Sequence, residues 1–294
     1  MTELGLLLAR YIFSFVSDEN SMDVGISTAS IFNKAMVEDT PPMLSAMGCR
    51  NVEVFLNTFS EYRPDFVEIV RKRLDDAGLR VYSVHPMSNQ FEAQLFSIHP
   101  RQKADAFSVY RQALNAGRIL GATHYVMHGS PHLGGTAKNL EFERITPIFR
   151  ELLDVAAEYG ITLCLENVSW CFFHAPAFGR ELKERLGDHR LKFVLDIKQA
   201  VRSGEDPFAF VEAVGEDLEN WHLCDYAFDE AGKLSLRMPG QGQCDFVALG
   251  KAMIRAGYRG PAFIEVYSDM YTDPDELKAS FEAMQTKLSP LGEK

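Results

Sequence analysis

From Asp23 onward the chain repeats one unit eight times: a short apolar run, a polar connection, then a stretch with the hydrophobic period of a helix. Few folds accept that rhythm. Parallel strands are buried on both faces and need a covering helix on each crossover, so the pattern calls for a parallel sheet wrapped by helices. The apolar runs are Val24 to Ser27, Asn51 to Leu56, Arg80 to His85, His124 to His128, Ile161 to Glu166, Leu191 to Asp196, Asn220 to Leu223 and Ala262 to Val266. Helical periodicity is clearest over Phe66 to Ala77, Ala104 to Leu120, Glu141 to Tyr159, Asp245 to Ala256 and Asp275 to Leu288. Gly78, Gly121, Gly160 and Gly257 each stand where a left-handed residue would end a helix. No proline-rich or serine-rich linker and no shift of composition divides the chain. The expectation is one α/β domain over residues 23–290, a closed (β/α)8 barrel, a fold that commonly takes about 250 residues. A doubly wound open sheet is the alternative.

Several of the runs end in a group that does not belong in a buried strand. Ile161-Thr162-Leu163-Cys164-Leu165 is followed by Glu166-Asn167, Leu191 to Leu195 by Asp196, and Pro261 to Ile264 by Glu265, while His222 interrupts Asn220 to Leu223. In a barrel the functional site forms at the carboxyl ends of the strands from residues far apart in sequence. Glu166, Asp196, His222 and Glu265 would then meet, and three carboxylates that close cannot all stay ionised without a cation. The pattern predicts one divalent metal; this donor set suits Mn2+, Mg2+ or Co2+, and Zn2+ also accepts it. Taken singly, each residue has a plainer reading: a rim carboxylate paired with arginine, a helix cap at Asp196, a satisfied core histidine at His222.

The ordered series Glu166-Asn167, Asp196, His222-Leu223-Cys224-Asp225, Arg237, Pro239-Gly240-Gln241-Gly242 and Glu265 resembles the sugar phosphate isomerase/epimerase family of the xylose isomerase-like TIM barrels, from about Asp23 to near the chain end. The resemblance implies that Glu166, Asp196, His222 and Glu265 hold the metal, and that Glu166 and Glu265 act as acid and base on opposite faces of a small carbohydrate. A metal that chelates a carbonyl and the adjacent hydroxyl acidifies the C–H between them and favours an enediolate, which suits epimerisation or isomerisation. A dehydratase acting on a keto-inositol is a relative with the same needs. Two positions depart from the family. A histidine often follows the strand-six aspartate by three residues, but here Asp196-Ile197-Lys198-Gln199 offers Gln199, with Lys198 read as facing away; and Gln243 stands where a glutamate often follows the glycine pair. His85 and His128 open two readings, ligands of a second metal together with Glu166 or direct partners of sugar hydroxyls. The apurinic endonuclease branch of the superfamily uses such histidines for zinc, but Gln199 and the absence of an Asp-x-His in the strand-seven loop argue against it.

Charge agrees. Lysine and arginine number 30 against 41 acidic residues, a net charge of −11, which is a poor starting point for binding nucleic acid and leaves a small-molecule substrate as the expected partner. A non-catalytic sugar-binding barrel is the remaining alternative. Five cysteines with no C-x-x-C pair fit a reducing, cytoplasmic setting. Residues 1–22 read as an N-terminal extension: Glu3 and Arg10 spoil a signal peptide, the run is too short for a bilayer span, and a helix packed on the barrel or on a second subunit of a homo-oligomer is expected instead. The segment His128-Gly129-Ser130-Pro131-His132-Leu133-Gly134-Gly135 lacks the lysine of a phosphate loop and reads as a pocket-lining connection, with His132 as a substrate contact. Trp170, Phe172 and Phe173 would supply an apolar wall or pack the rim, and Arg237 would bind an anion or hydroxyl.

Overall fold

The first and last apolar runs pair with each other, which decides between barrel and open sheet. In the computed structural model, which describes residues 22–131 and 141–292, strand β1 (Val24–Ser27) lies parallel to the final strand with Val24 opposite Ala262 and Ile26 opposite Ile264. The other strands are β2 (Asn51–Leu56), β3 (Arg80–Pro86), β4 (His124–Met127), β5 (Thr162–Glu166), β6 (Lys192–Asp196), β7 (Leu218–Leu223), β8 (Asp225–Phe228), β9 (Leu234–Arg237) and β10 (Ala262–Ile264). All but β8 and β9 form a closed barrel in the order β1-β10-β7-β6-β5-β4-β3-β2, with every neighbouring pair parallel. The fold is a single (β/α)8 barrel, and the doubly wound alternative falls with its closure. Closure depends on Gly25, where a side-chain carbon would lie 2.3 Å from the Asn51 carbonyl oxygen and 2.5 Å from the Phe263 ring.

The punctuation follows physical preference. The helices Pro64–Asp76, Pro100–Leu120, Pro176–Leu186, Pro207–Val214 and Pro274–Leu288 begin on proline, whose fixed φ and missing N–H suit a first helical position. Gly78, Gly121, Gly160 and Gly257 have φ of 69°, 79°, 68° and 107°, the left-handed values anticipated for them. One element was not anticipated. The antiparallel hairpin of β8 and β9, with Asp225 opposite Arg237, occupies what read as a plain loop after β7. Its four-residue strands are too short and too exposed to leave an apolar signature.

The expected N-terminal helix and the His132 contact lie outside the described residues. No described helix is long and apolar enough to cross a membrane. All five cysteines are free, and burial pushes the Cys164 thiol well above its ordinary pKa, consistent with an inert core thiol.

Candidate metal centre

Barrel register brings four strand ends to one level. Asp196 is paired with His222 across β6 and β7, and His222 with Phe263 across β7 and β10, so Glu265 emerges one step beyond. Glu166 closes β5 beside Val194. All four side chains are buried, and their donor atoms lie within 4.8 Å of one another. Nδ1 of His222 is the hub: it is 3.2 Å from Oε1 of Glu166, 3.7 Å from Oδ2 of Asp196, and in contact with Oε2 of Glu265.

The opposite face of the His222 ring identifies a residue that the strand-end pattern did not. Glu53, in the middle of β2, places Oε2 3.1 Å from Nε2 of His222, and the same oxygen accepts from Asn220 Nδ2 at 2.9 Å and Ser83 Oγ at 2.7 Å. Its other oxygen is 3.4 Å from Nδ1 of His85. A carboxylate on Nε2 keeps a proton there and turns the Nδ1 lone pair toward the acidic cluster, the arrangement that prepares a histidine to ligate. Burial disfavours the charge of Glu53, but the fields of His222 and His85 win and hold its pKa well below the usual carboxylate range. His85 and His128 stand on the Glu166 side, their Nε2 atoms 2.9 Å apart and 3.8 and 2.8 Å from Oε2 of Glu166. Those three residues form a second convergent group. A further buried carboxylate, Glu92, accepts from the backbone N–H of His128 at 2.8 Å and of Gly129 at 2.9 Å, fixing the end of β4; burial pushes its pKa up to about 7.

Lys198 corrects the sequence reading. It does not face away. Only 2% exposed, it contacts the Asp196 carboxylate and lies 3.1 Å from Oε1 of Glu265. The requirement for a cation among these carboxylates is therefore met in part by the chain itself, and the carboxylate count alone no longer demands a metal. What favours one is orphaned donors: Oε2 of Glu166 and Oε2 of Glu265 are buried without a hydrogen-bond partner, although imidazole nitrogens stand nearby. Lone pairs that converge without alignment on a proton fit a cation between them, and small side-chain shifts bring such a set within ligand distances of about 2.0–2.2 Å. Glu265 shows the same balance in its pKa, where burial raises it and the charges of His222 and Lys198 carry it down to about 2. His222, disfavoured as a cation by burial, is driven well above its ordinary pKa by Glu265 and Glu53, so a metal would take the place of a proton on Nδ1.

Neighbouring groups hold these side chains in place. Asp196 also caps the helix Ile197–Arg202 by accepting from Gln199 N at 2.9 Å, so the cap and ligand readings share one side chain. The Asn167 carboxamide spans β5 and β6, donating to the Asp196 carbonyl at 2.9 Å and accepting its N–H at 2.6 Å. The Gln199 side-chain oxygen accepts from Ser169 N and Oγ at 3.2 and 2.8 Å. Asp225 gathers the N–H groups of Gly240, Gly242 and Cys244 at 2.8–3.0 Å, and Gln243 accepts from Phe228 N, so the glycine pair and Gln243 fasten the hairpin. Arg237 ends β9 exposed and has no salt bridge among the described residues. Of the aromatic trio, Phe172 and Phe173 are core, packed on Phe178, while Trp170 is 41% exposed with its ring edge-on to His128 at 5.9 Å.

This arrangement has relatives. The profile of the xylose isomerase-like TIM barrel family matches residues 43–287, most of the chain. The chain belongs to that family. A D-psicose 3-epimerase from Clostridium cellulolyticum H10, solved with D-tagatose, shares its fold with a TM-score of 0.74 at 17% identity, over 91% of this chain and all of that one. The IolI protein with a bound zinc atom gives 0.75 at 16% identity over 92% and 98%, and the 3-keto-D-glucoside 4-epimerase YcjR of E. coli 0.71 at 16% over 90% and 99%. At such identities the likeness is one of fold. In sequence, no curated protein matches the chain. Here Glu166, Asp196, His222 and Glu265 lie at the carboxyl ends of the barrel strands, the face where TIM-barrel active sites form.

Proposed function

We propose that this xylose isomerase-like barrel is a divalent-metal-dependent isomerase or epimerase of a small sugar, ketose or keto-polyol. The observation that carries the reading is the pair of buried glutamates, Glu166 and Glu265, converging on Nδ1 of His222 from different strands, each with one oxygen lacking a hydrogen bond. The structural neighbours that act on ketoses and a keto-glucoside, and the one holding zinc, support it. Glu166, Asp196, His222 and Glu265 would hold the ion, with His85 and His128 beside Glu166 for a second ion or for substrate hydroxyls. The ion would supply Lewis acidity toward a carbonyl and its neighbouring hydroxyl.

The residues of the chain account for the remaining steps. One glutamate removes a proton from the carbon beside the carbonyl and the other returns one, from opposite faces for epimerisation. Their low pKa makes both weak bases, so the substrate proton must be acidified before it moves. Trp170 offers a face for sugar C–H groups, Gln199 its amide nitrogen and Arg237 a guanidinium from the hairpin. The barrel over residues 23–290 is the working unit, and five free cysteines suit a reducing, cytoplasmic setting.

The test is incubation of the metal-loaded protein with a panel of ketoses and keto-polyols in D2O, read by NMR. Solvent deuterium should enter one carbon of at least one compound. Glu166→Gln and Glu265→Gln should each slow that entry by about a hundredfold or more; exchange surviving in either variant removes that residue from the pair.

A further inference from the structure

The proton-transfer scheme makes no use of Lys198, yet the fold goes to some length to bury it. It is the second residue of the helix Ile197–Arg202, where a lysine would ordinarily reach solvent. Here the ammonium turns into the barrel mouth, touches Asp196 and lies 3.1 Å from Oε1 of Glu265, with the Tyr267 ring 6.0 Å away. An ammonium without water is tolerated only when paired, and these carboxylates are its partners. Glu265 is thereby divided: Oε1 is held by the lysine and Oε2 is left facing His222 without a hydrogen bond. Four buried carboxylates crowd the centre, Glu53, Glu166, Asp196 and Glu265. One divalent ion would leave two negative charges uncompensated, and Lys198 removes one of them.

We propose that Lys198 is a resident cation of the centre, a positioning residue that shares Asp196 and Glu265 with the divalent ion, keeps the cage folded when the ion is absent, and limits it to one ion held less tightly than the donors alone would hold it. The inference rests on the metal reading above for its second half and on the geometry alone for its first. Repulsion between an ammonium and a divalent ion that share ligands acts through little water, so removing the charge should tighten metal binding while loosening the metal-free protein. A lysine that merely filled space would do neither.

Lys198→Met keeps an unbranched side chain one atom shorter and removes the charge; Lys198→Arg keeps the charge. The full-length proteins are stripped of metal, melted, and titrated with Co2+ followed by its visible absorption, with bound metal counted by elemental analysis. Metal-free Lys198→Met should melt below metal-free wild type and bind Co2+ about tenfold or more tightly than wild type, and should accept a second equivalent. Lys198→Arg should restore the wild-type affinity and stoichiometry. Unchanged or weakened Co2+ affinity in Lys198→Met overturns the inference, as does an unchanged metal-free melting point. If Lys198→Met does not fold without metal, refolding in Co2+ decides: recovery supports the inference and failure overturns it. A wild type that binds no Co2+ sinks the metal reading by itself, and the resident cation then stands or falls on the metal-free melting comparison.

Discussion

Glu53 holds two of the three imidazoles that face Glu166, those of His85 and His222, with one carboxylate oxygen directed to each. Glu53→Gln would replace one oxygen with a donor, set either against the ring N–H of His222 and the Ser83 hydroxyl or against His85. Partners of this kind, one step removed from a metal, are worth about ten- to a hundredfold in affinity. Co2+ binding should weaken by that factor with the fold unchanged by circular dichroism, and an unaltered affinity would show that the rings keep their orientation without it. The signal for Glu53 was in the sequence. Asn51-Val52-Glu53-Val54-Phe55-Leu56 places a carboxylate in the middle of a strand buried on both faces, where it must meet a partner, but attention to strand ends passes over it. Lys198 was less legible, because two residues after a strand end the direction of a side chain depends on how the first helical turn leaves the barrel. Glu166, Asp196, His222 and Glu265 could be read together because each ends or interrupts an apolar run, and a barrel brings such positions to one face.

Elements at the amino end of the barrel carry stability, and β4 begins with a case that pH can isolate. His124 stacks on Tyr82 with ring centres 4.3 Å apart, and burial lowers its pKa from 6.5 to about 4, with Glu219 4.0 Å away too distant to reverse it. The unfolded chain therefore binds the extra proton between pH 6.5 and 4 and the folded protein does not, so stability is complete above pH 6.5 and falls as the pH drops toward 4. The loss amounts to about 3 kcal/mol at the lower end. The urea midpoint of wild type should fall relative to that of His124→Phe as the pH is lowered through that window, and parallel curves would remove His124 as the source. A second element, the glycine loop after β9, can be tested sterically. A side-chain carbon at Gly242 would fall 2.3 Å from the Tyr226 carbonyl oxygen and 2.4 Å from Oδ1 of Asp225, so Gly242→Ala should destabilise by about 1–3 kcal/mol in the same assay. Strands and glycine stops were legible because burial on both faces and left-handed φ each demand particular residue types. The β8–β9 hairpin was not, since its order comes from the Asp225 carboxylate gathering distant N–H groups.

At the scale of the molecule, closure and the centre are one event. The donors come from β5, β6, β7 and the end of β10, and the residues that orient them from β2 and β3, so they converge only when β10 has found β1. The sequence announced eight strands but not their closure, because no local pattern tells the first strand that the last will lie against it. An ion bound by the closed barrel and not by the open chain must stabilise the fold by mass action, by about 2.7 kcal/mol when free metal is a hundred times its dissociation constant. For a chain of this size that corresponds to a rise of roughly 5 °C in melting temperature, growing with the logarithm of metal concentration. Lys198 sets the starting point of that rise, since a centre with its own cation remains folded after chelation. Glu265→Gln should lose most of the rise and keep the metal-free melting point near that of wild type, because Lys198 still has Asp196. A rise equal in wild type and Glu265→Gln would place the ion elsewhere on the protein and separate the proposed chemistry from the strand ends on which it depends.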